Sequence, residues 1–336
     1  SRDGFKIHDE IEAEIERLVT THKIKGIRPT ASEIGKAARI EDAIGRYIIF
    51  CKNTFPDDST LEGLKIVLDC ANGATYKVAP IIFSELGAEI TPIHDQPNGM
   101  NINDNCGALY PTDLIGKVLE TKADLGLAFD GDGDRLIAVD EQGNLLTGDH
   151  IIAICAKAMQ ARGQLLNNLV VATAMSNYGF HETMRKLGIQ VCEAEVGDRY
   201  VLQMMHAQGA VLGGEDSGHI IFRNLHTTGD GIISALQLLA ILQGSGQKLS
   251  ELASIIRRAP QVLINVAVAA KPPLTELAPL QEAIRKAEAE LAECGRVLVR
   301  YSGTQAICRV MVESHTAELT QRLAAELATI VKQQLA

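Results

Sequence analysis

The apolar positions of this chain change their period along its length. Between Asp9 and Val19 they recur at helical spacing inside an acidic segment, which predicts an amphipathic helix. Phe5–Ile7 is a short apolar piece before it. Thr30-Ala31-Ser32-Glu33 has the spacing of a capping box, with threonine as N-cap. From about residue 40 the pattern becomes α/β. Helices are expected over 42–52 and 76–86, the second stopped by Gly87; the continuous apolar run over 64–69 reads as a buried strand, with a second strand over 88–93 and a third over 125–129. A unit of matching order begins near Gly148. It runs helix 151–161, strand 169–174, helix 180–187, strand 191–196, helix 200–208, strand 211–212, a loop, a short strand and a long helix over 230–242. After Pro260 the style changes. Strands 262–269, 296–300 and 307–313 combine with helices 279–293 and 316–335, and Lys271-Pro272-Pro273 punctuates. The expected fold is two consecutive related α/β domains followed by a small α+β C-terminal domain.

The length of 336 residues allows two or three domains, each with its own core. Hydrophobic residues at 46% and charged residues at 22% are ordinary for a soluble globular protein. Sparse aromatics, with no tryptophan, argue against a stacking surface for single-stranded nucleic acid. The net charge of −10 disfavours nucleic acid or anionic membrane as partner, so an anionic substrate needs locally concentrated arginines. Seven scattered cysteines, with no Cys-x-x-Cys pair, argue for reduced thiols in a cytosol and against a disulfide framework or structural zinc. No apolar run has membrane-spanning length, and the N-terminus lacks a signal peptide. The abrupt start at Ser1, without methionine, reads as a chain cut from something longer.

The chemistry concentrates in Asp130-Gly131-Asp132-Gly133-Asp134-Arg135. Three carboxylates at alternate positions, with glycines between them, can face one point, and hard oxygen donors suit Mg²⁺ better than Zn²⁺. One alternative is a solvated acidic turn. Another is calcium, because Asp130, Asp132, Asp134 and Glu141 fall at EF-hand positions. That reading fails on Arg135, which stands where a glycine is needed, and on flanks that read as strands. In Gly213–His219, Glu215 and Ser217 lie on one side and suit two neighbouring sugar hydroxyls, unless the segment is only a polar turn. His219 is either a proton carrier or a satisfied loop histidine. Arg300-Tyr301-Ser302-Gly303-Thr304 with Arg309 has the makings of an anion cradle, the alternative being a β-turn with solvated arginines. In Val196–Tyr200, Asp198 suits a helix cap and Arg199 a ligand contact. No nucleophile elbow, cysteine–histidine pattern or Walker loop is found.

Together these motifs resemble the α-D-phosphohexomutase superfamily, and within it the bacterial phosphoglucosamine mutases. The metal loop is matched by Asp130–Arg135, the sugar loop by Gly214–His219 and the phosphate loop by Arg300–Thr304 with Arg309. Val67–Ala74, Asn101–Asn103, Val196–Tyr200 and Thr227–Gly231 extend the likeness over essentially the whole chain. The resemblance makes 1–40 the C-terminal remnant of domain 1 and 41–146 domain 2 with the metal loop. It makes 147–258 domain 3 with the sugar loop, and 259–336 domain 4 with the phosphate loop. It implies reversible conversion of glucosamine 6-phosphate to glucosamine 1-phosphate in the cytoplasm, through a phosphoserine and a glucosamine 1,6-bisphosphate intermediate, for UDP-N-acetylglucosamine and cell-wall synthesis. Metal ligands are then Asp130, Asp132 and Asp134, holding one Mg²⁺, with Arg135 assisting and His219 as acid/base. Substrate contacts are Glu215, Ser217, Arg199, Arg300, Ser302, Gly303, Thr304 and Arg309. The expected partner is a small-molecule sugar phosphate, and oligomeric state, a homodimer included, is not specified. Two departures matter. Glu33 follows Thr30-Ala31-Ser32 where the family has His-Asn-Pro, so Ser32 should not be the nucleophile and the chain by itself should be inactive. Gln305-Ala306 replaces the usual Glu-Pro, which puts the rigidity and charge of the phosphate loop in doubt. Glucose or mannose phosphates are alternative substrates, and a non-catalytic sugar-phosphate-binding protein is the alternative class.

Overall fold

The computed structural model describes residues 4–302 and 305–335. Helix α1 (Asp9–Thr20) is amphipathic but buries none of its residues, and Ile11, Ile15 and Val19 are exposed. One part of the N-terminal reading changes: Thr30 precedes only a single 3₁₀ turn, Ala31–Glu33, without a side-chain cap. Helix α2 (Ala43–Lys52) then leads into the first sheet.

That sheet is built from β1 (Lys65–Asp69), α3 (Thr75–Glu85), β2 (Glu89–Ile93), α4 (Thr112–Thr121), β3 (Leu125–Phe129), β4 (Leu136–Asp140) and β5 (Leu145–Leu146). Its order is β2-β1-β3-β4-β5, parallel across β2-β1-β3 and antiparallel beyond. Strands β3 and β4 are buried along their whole length, which is why they read as unbroken apolar runs. The periodicity assigns no helix to 112–121. Leu114 and Val118 nevertheless pack α4 against the sheet.

The second unit comprises α5 (Gly148–Ala161), β6 (Leu169–Thr173), α6 (Tyr178–Lys186), β7 (Gln190–Ala194), α7 (Asp198–Gln208), β8 (Leu212–Gly214), β9 (Ile220–Phe222), α8 (Gly231–Ser245) and α9 (Leu249–Ala253). Its sheet order, β7-β6-β8-β9, repeats the parallel, parallel, antiparallel pattern of β2-β1-β3-β4. The two α/β domains are therefore related in topology. Each keeps a small cluster of its own, but their largest core is shared. One cluster runs from Leu68, Phe83 and Leu127 through Ile151 and Ile152 on α5 and Leu236 and Leu239 on α8 to Val170 and Phe180. Helix α8, apolar on every side, is buried between the units.

The last unit contains β10 (Gln261–Ala267), α10 (Ala278–Leu291), β11 (Gly295–Tyr301), β12 (Ile307–Ser314) and α11 (Ala317–Leu335). Its antiparallel sheet, β10-β12-β11, is covered by both helices around a core of its own. It joins the second unit through polar contacts. Fully buried Glu313 accepts from Asn177 Nδ2 at 3.0 Å, the Tyr178 N–H at 2.8 Å and Arg296 Nε at 2.7 Å. Arg296 also reaches the Ser176 carbonyl.

Candidate active site

The Asp130–Arg135 loop joins β3 to β4 at the carboxyl end of β3, where open α/β sheets place ligands. Its flanking strands pair with each other, and Glu141 is bound to the Ser250 hydroxyl at 2.6 Å, so the EF-hand arrangement does not form. Gly133 takes φ +79°, a region that side chains disfavour, and the Asp130 carbonyl accepts its N–H at 3.1 Å. Gly73 lets the loop approach α3 closely, since a Cβ there would lie 2.2 Å from the Gly131 carbonyl oxygen. The three aspartates each present an oxygen within 4.8 Å of the others. Asp130 is buried, Asp134 half-buried and Asp132 exposed.

Burial pushes the Asp130 carboxyl up to about 6, with the Asp134 and Asp132 charges adding and the Arg135 N–H opposing. Asp134 is held below its ordinary value, chiefly by the His219 ring and also by Arg135. Arg135 Nε lies 3.6 Å from Asp130 and 3.9 Å from Asp134, too far for hydrogen bonds. Its cation offsets the cluster only in part. Three converging hard oxygens with uncompensated charge fit a divalent cation such as Mg²⁺.

Main chain ties the Gly213–His219 loop to this cluster. Arg135 and His219 form a β-bridge, and the Leu136 N–H donates to the Gly218 carbonyl at 3.0 Å. The buried His219 ring sets Nδ1 3.0 Å from Asp134 Oδ2 and packs its other edge on Gly229. His219 thus orients one of the three carboxylates. Glu215 accepts the Gly197 N–H at 3.1 Å, and Ser217 is exposed beside it. Asp216 is gripped by Arg258 at 2.7 and 3.1 Å, and this pair braces the loop against α5 through Thr147. The arrangement continues inward to Asp149, whose carboxyl is pushed well above its usual range by burial and the neighbouring Asp216 charge.

Arg199 is engaged differently from the sequence reading. It pairs with Asp9 and with Glu12, the latter at 2.6 Å, so α1 occupies the guanidinium. Asp198 is the first residue of α7 rather than its N-cap; its carboxylate accepts the Arg199 N–H at 2.8 Å and pairs with Lys6. In the last unit Arg300 and Arg309 are cross-strand partners on one face. Like charges so placed repel. Arg309 Nε is buried without a hydrogen-bond partner, and Arg300 lies 3.7 Å from Met175 Sδ in the second unit. Neither has a carboxylate partner among the described residues, and two guanidiniums so placed suit an anion. Ser302 Oγ accepts the Gln305 N–H at 3.3 Å, and its carbonyl accepts from Lys271 at 2.6 Å. Gly303 and Thr304 lie outside the described residues.

Sequence reading passed over Asp230 and Tyr47. Asp230 caps α8 through the Ile233 N–H at 3.0 Å and accepts the Tyr47 hydroxyl at 2.8 Å. With Asp132, Asp134 and Thr228 these residues line a cavity of about 490 Å³ beside the triad. Asp230 follows a Thr-Thr-Gly run, an N-cap signal that was available. Arg258 and Asp149 had no local signal.

Three consecutive models of one family match the chain. They are phosphoglucomutase/phosphomannomutase α/β/α domain II over residues 46–143, domain III over 147–259 and the C-terminal domain over 263–330. A phosphoglucosamine mutase of Syntrophus aciditrophicus is 54% identical over 335 residues, covering 100% of this chain and 75% of that protein. One from Syntrophobacter fumaroxidans is 52% identical over 98% of this chain and 74% of its own length. Among solved structures, a phosphoglucomutase/phosphomannomutase family protein of Burkholderia thailandensis superimposes with TM-score 0.76 at 21% identity, covering 99% of this chain and 71% of that one. An Aspergillus fumigatus N-acetylphosphoglucosamine mutase, solved in complex with GlcNAc-6P and magnesium, gives 0.71 at 21% identity, covering 88% and 67%. By these matches the chain belongs to the phosphoglucosamine mutase family of the phosphohexomutases.

Proposed function

We propose that these residues serve the interconversion of glucosamine 6-phosphate and glucosamine 1-phosphate in the cytoplasm. The observation that carries this is the joining of the aspartate triad to the sugar loop, through the Arg135–His219 bridge and the 3.0 Å contact of His219 with Asp134. Asp130, Asp132 and Asp134 would hold one Mg²⁺, which when bound supplies neutralisation of charge on a transferring phosphoryl group. Arg135 leans over the same carboxylates and adds a second cation there. His219 fixes Asp134 and is the nearest imidazole for moving a proton. Glu215 and Ser217 take sugar hydroxyls. Arg300 and Arg309, repelling one another without an anion, take the phosphate that is not reacting, with Ser302, Gly303 and Thr304 completing the cradle.

The reaction also needs a covalent carrier that keeps the phosphoryl group between its two half-reactions, passing through glucosamine 1,6-bisphosphate. Ser32 is exposed on an isolated turn, without the residues that make a phosphoserine loop. Residues 1–336 should therefore bind sugar phosphate without turning it over. A coupled assay of the chain with Mg²⁺ and sugar bisphosphate, run beside Ser32→Ala, tests this. Turnover that disappears with Ser32 would make Ser32 the carrier. Titration with glucosamine, glucose and mannose 6-phosphates tests the sugar, and equal affinity for all three would remove the amino-sugar assignment.

A further inference from the structure

A second group of metal-ligating side chains lies at the carboxyl ends of β1 and β2, apart from the aspartate triad. Asp69 ends β1, His94 follows β2, and Cys106 precedes the turn into α4. Asp69 and Cys106 are fully buried, and one donor atom from each of the three lies within 4.8 Å of the others. We propose that Asp69, His94 and Cys106 bind one Zn²⁺ ion, with Asp113 as the positioning residue for the imidazole.

The geometry of His94 carries the argument. Its Nε2 lies 3.3 Å from Asp113 Oδ2, on the side of the ring away from Cys106 and Asp69. Its Nδ1 is buried and lies 3.1 Å from Asp69 Oδ2, yet it has no hydrogen-bond partner. The ring therefore presents a buried, unpartnered Nδ1 to the carboxylate and thiol. A carboxylate beside the far nitrogen of the ring is the arrangement that orients histidine ligands on zinc. Zinc bonds of about 2.0–2.2 Å to nitrogen and oxygen put tetrahedral ligand atoms about 3.3–3.5 Å apart, so the 3.1 Å contact is close to a coordination edge.

The rest of the donor set agrees. Asp69 uses its two oxygens to accept the Ala71 and Gly107 N–H groups, both at 2.9 Å, which fixes the carboxylate while leaving lone pairs for a cation. The Cys106 thiol has only a 3.9 Å contact with Asn72. One carboxylate and one thiolate neutralise a divalent charge, and the thiol proton leaves to solvent as the metal enters. Burial, and then the nearby Asp69, Asp104 and Asp113 carboxylates, push the Cys106 thiol up in the metal-free chain. Imidazole and thiolate select zinc over magnesium, the reverse of the Asp130 triad. The ligands stand singly on separate loops, so no cysteine spacing in the sequence announces them.

Cobalt substitution tests the assignment on the unmodified chain. One equivalent of Co²⁺ should give a thiolate charge-transfer band in the near ultraviolet and intense tetrahedral visible bands, both displaced by Zn²⁺. Calorimetry with Zn²⁺ should show one site that survives Asp132→Asn. Zinc affinity should fall at least tenfold in His94→Gln and Cys106→Ser, and by a smaller factor in Asp113→Asn, with the folded circular dichroism spectrum retained. A chain that takes up cobalt without the charge-transfer band overturns the proposal. So does zinc binding that depends on Asp132 and is indifferent to Cys106.

Discussion

Glu313→Ala is the substitution through which the structure is most exposed to test. The carboxylate is fully buried where the C-terminal unit meets the second α/β domain, and it accepts three hydrogen bonds of 2.7–3.0 Å. Removing it strands the Tyr178 N–H and one N–H of the Asn177 amide, which keeps its bond to the Ala259 carbonyl, and a stranded buried donor costs about 1–3 kcal/mol. It also leaves Arg296 without its counter-charge, although the guanidinium keeps the Ser176 carbonyl. Loss of one side of a buried ion pair costs about 3–5 kcal/mol, and these terms overlap, so the whole effect should fall in that range. Glu313→Gln should cost less, because its amide oxygen still accepts from Tyr178 or Asn177. Urea unfolding followed by circular dichroism at constant pH measures both. Arg300 and Arg309 share the sheet with Glu313, so sugar-phosphate affinity should fall in the alanine variant as well. A loss of stability below about 1 kcal/mol, or a glutamine variant worse than alanine, would refute the assignment of Glu313 as the junction.

Arg300→Ala or Arg309→Ala should weaken sugar-phosphate binding by about 1.5–3 kcal/mol by calorimetry, while Glu215→Ala should leave affinity for inorganic phosphate unchanged. Asp130→Asn should reduce Mg²⁺ affinity at least about tenfold, and tight calcium-selective binding that needs Glu141 would contradict the site. Asp149 has a raised folded pKa, so its contribution to stability is complete below its ordinary 3.8 and is lost as pH rises towards the folded value. Asp149→Asn keeps an acceptor for the Asn177 N–H, now 2.6 Å from Asp149 Oδ2, without the charge. The variant should therefore gain on the parent in urea midpoint as pH rises above the ordinary carboxylate range.

Legibility in the sequence followed the range of the interaction. Strand β3 was readable to the residue because both its faces are buried, and the triad was readable because its ligands alternate within six positions of one loop. Helix α4 escaped because it is short and offers only two fully buried positions, Leu114 and Val118. Pairings between distant segments left no local trace. Arg199 looked available to a ligand, and only the fold brings Asp9 and Glu12 to it from far upstream. Arg258 on Asp216 and Glu313 on Asn177 are of the same kind. The shared core was hidden too. An all-apolar α8 says that a helix is buried, not that two domains bury it jointly.

The continuity of that core decides where the molecule can be divided. Cleavage between Leu146 and Gly148 would leave each half with a cut hydrophobic face, since α5 and α8 complete the packing of both sheets. Neither repeat is a transferable cassette, despite its matching strand order. Division near Pro260 is different, because the segment beyond it closes its own core and meets the remainder through a handful of polar contacts. An engineered exchange of C-terminal units therefore has a natural seam here, and Glu313 is the graft point that any donor sequence must reproduce.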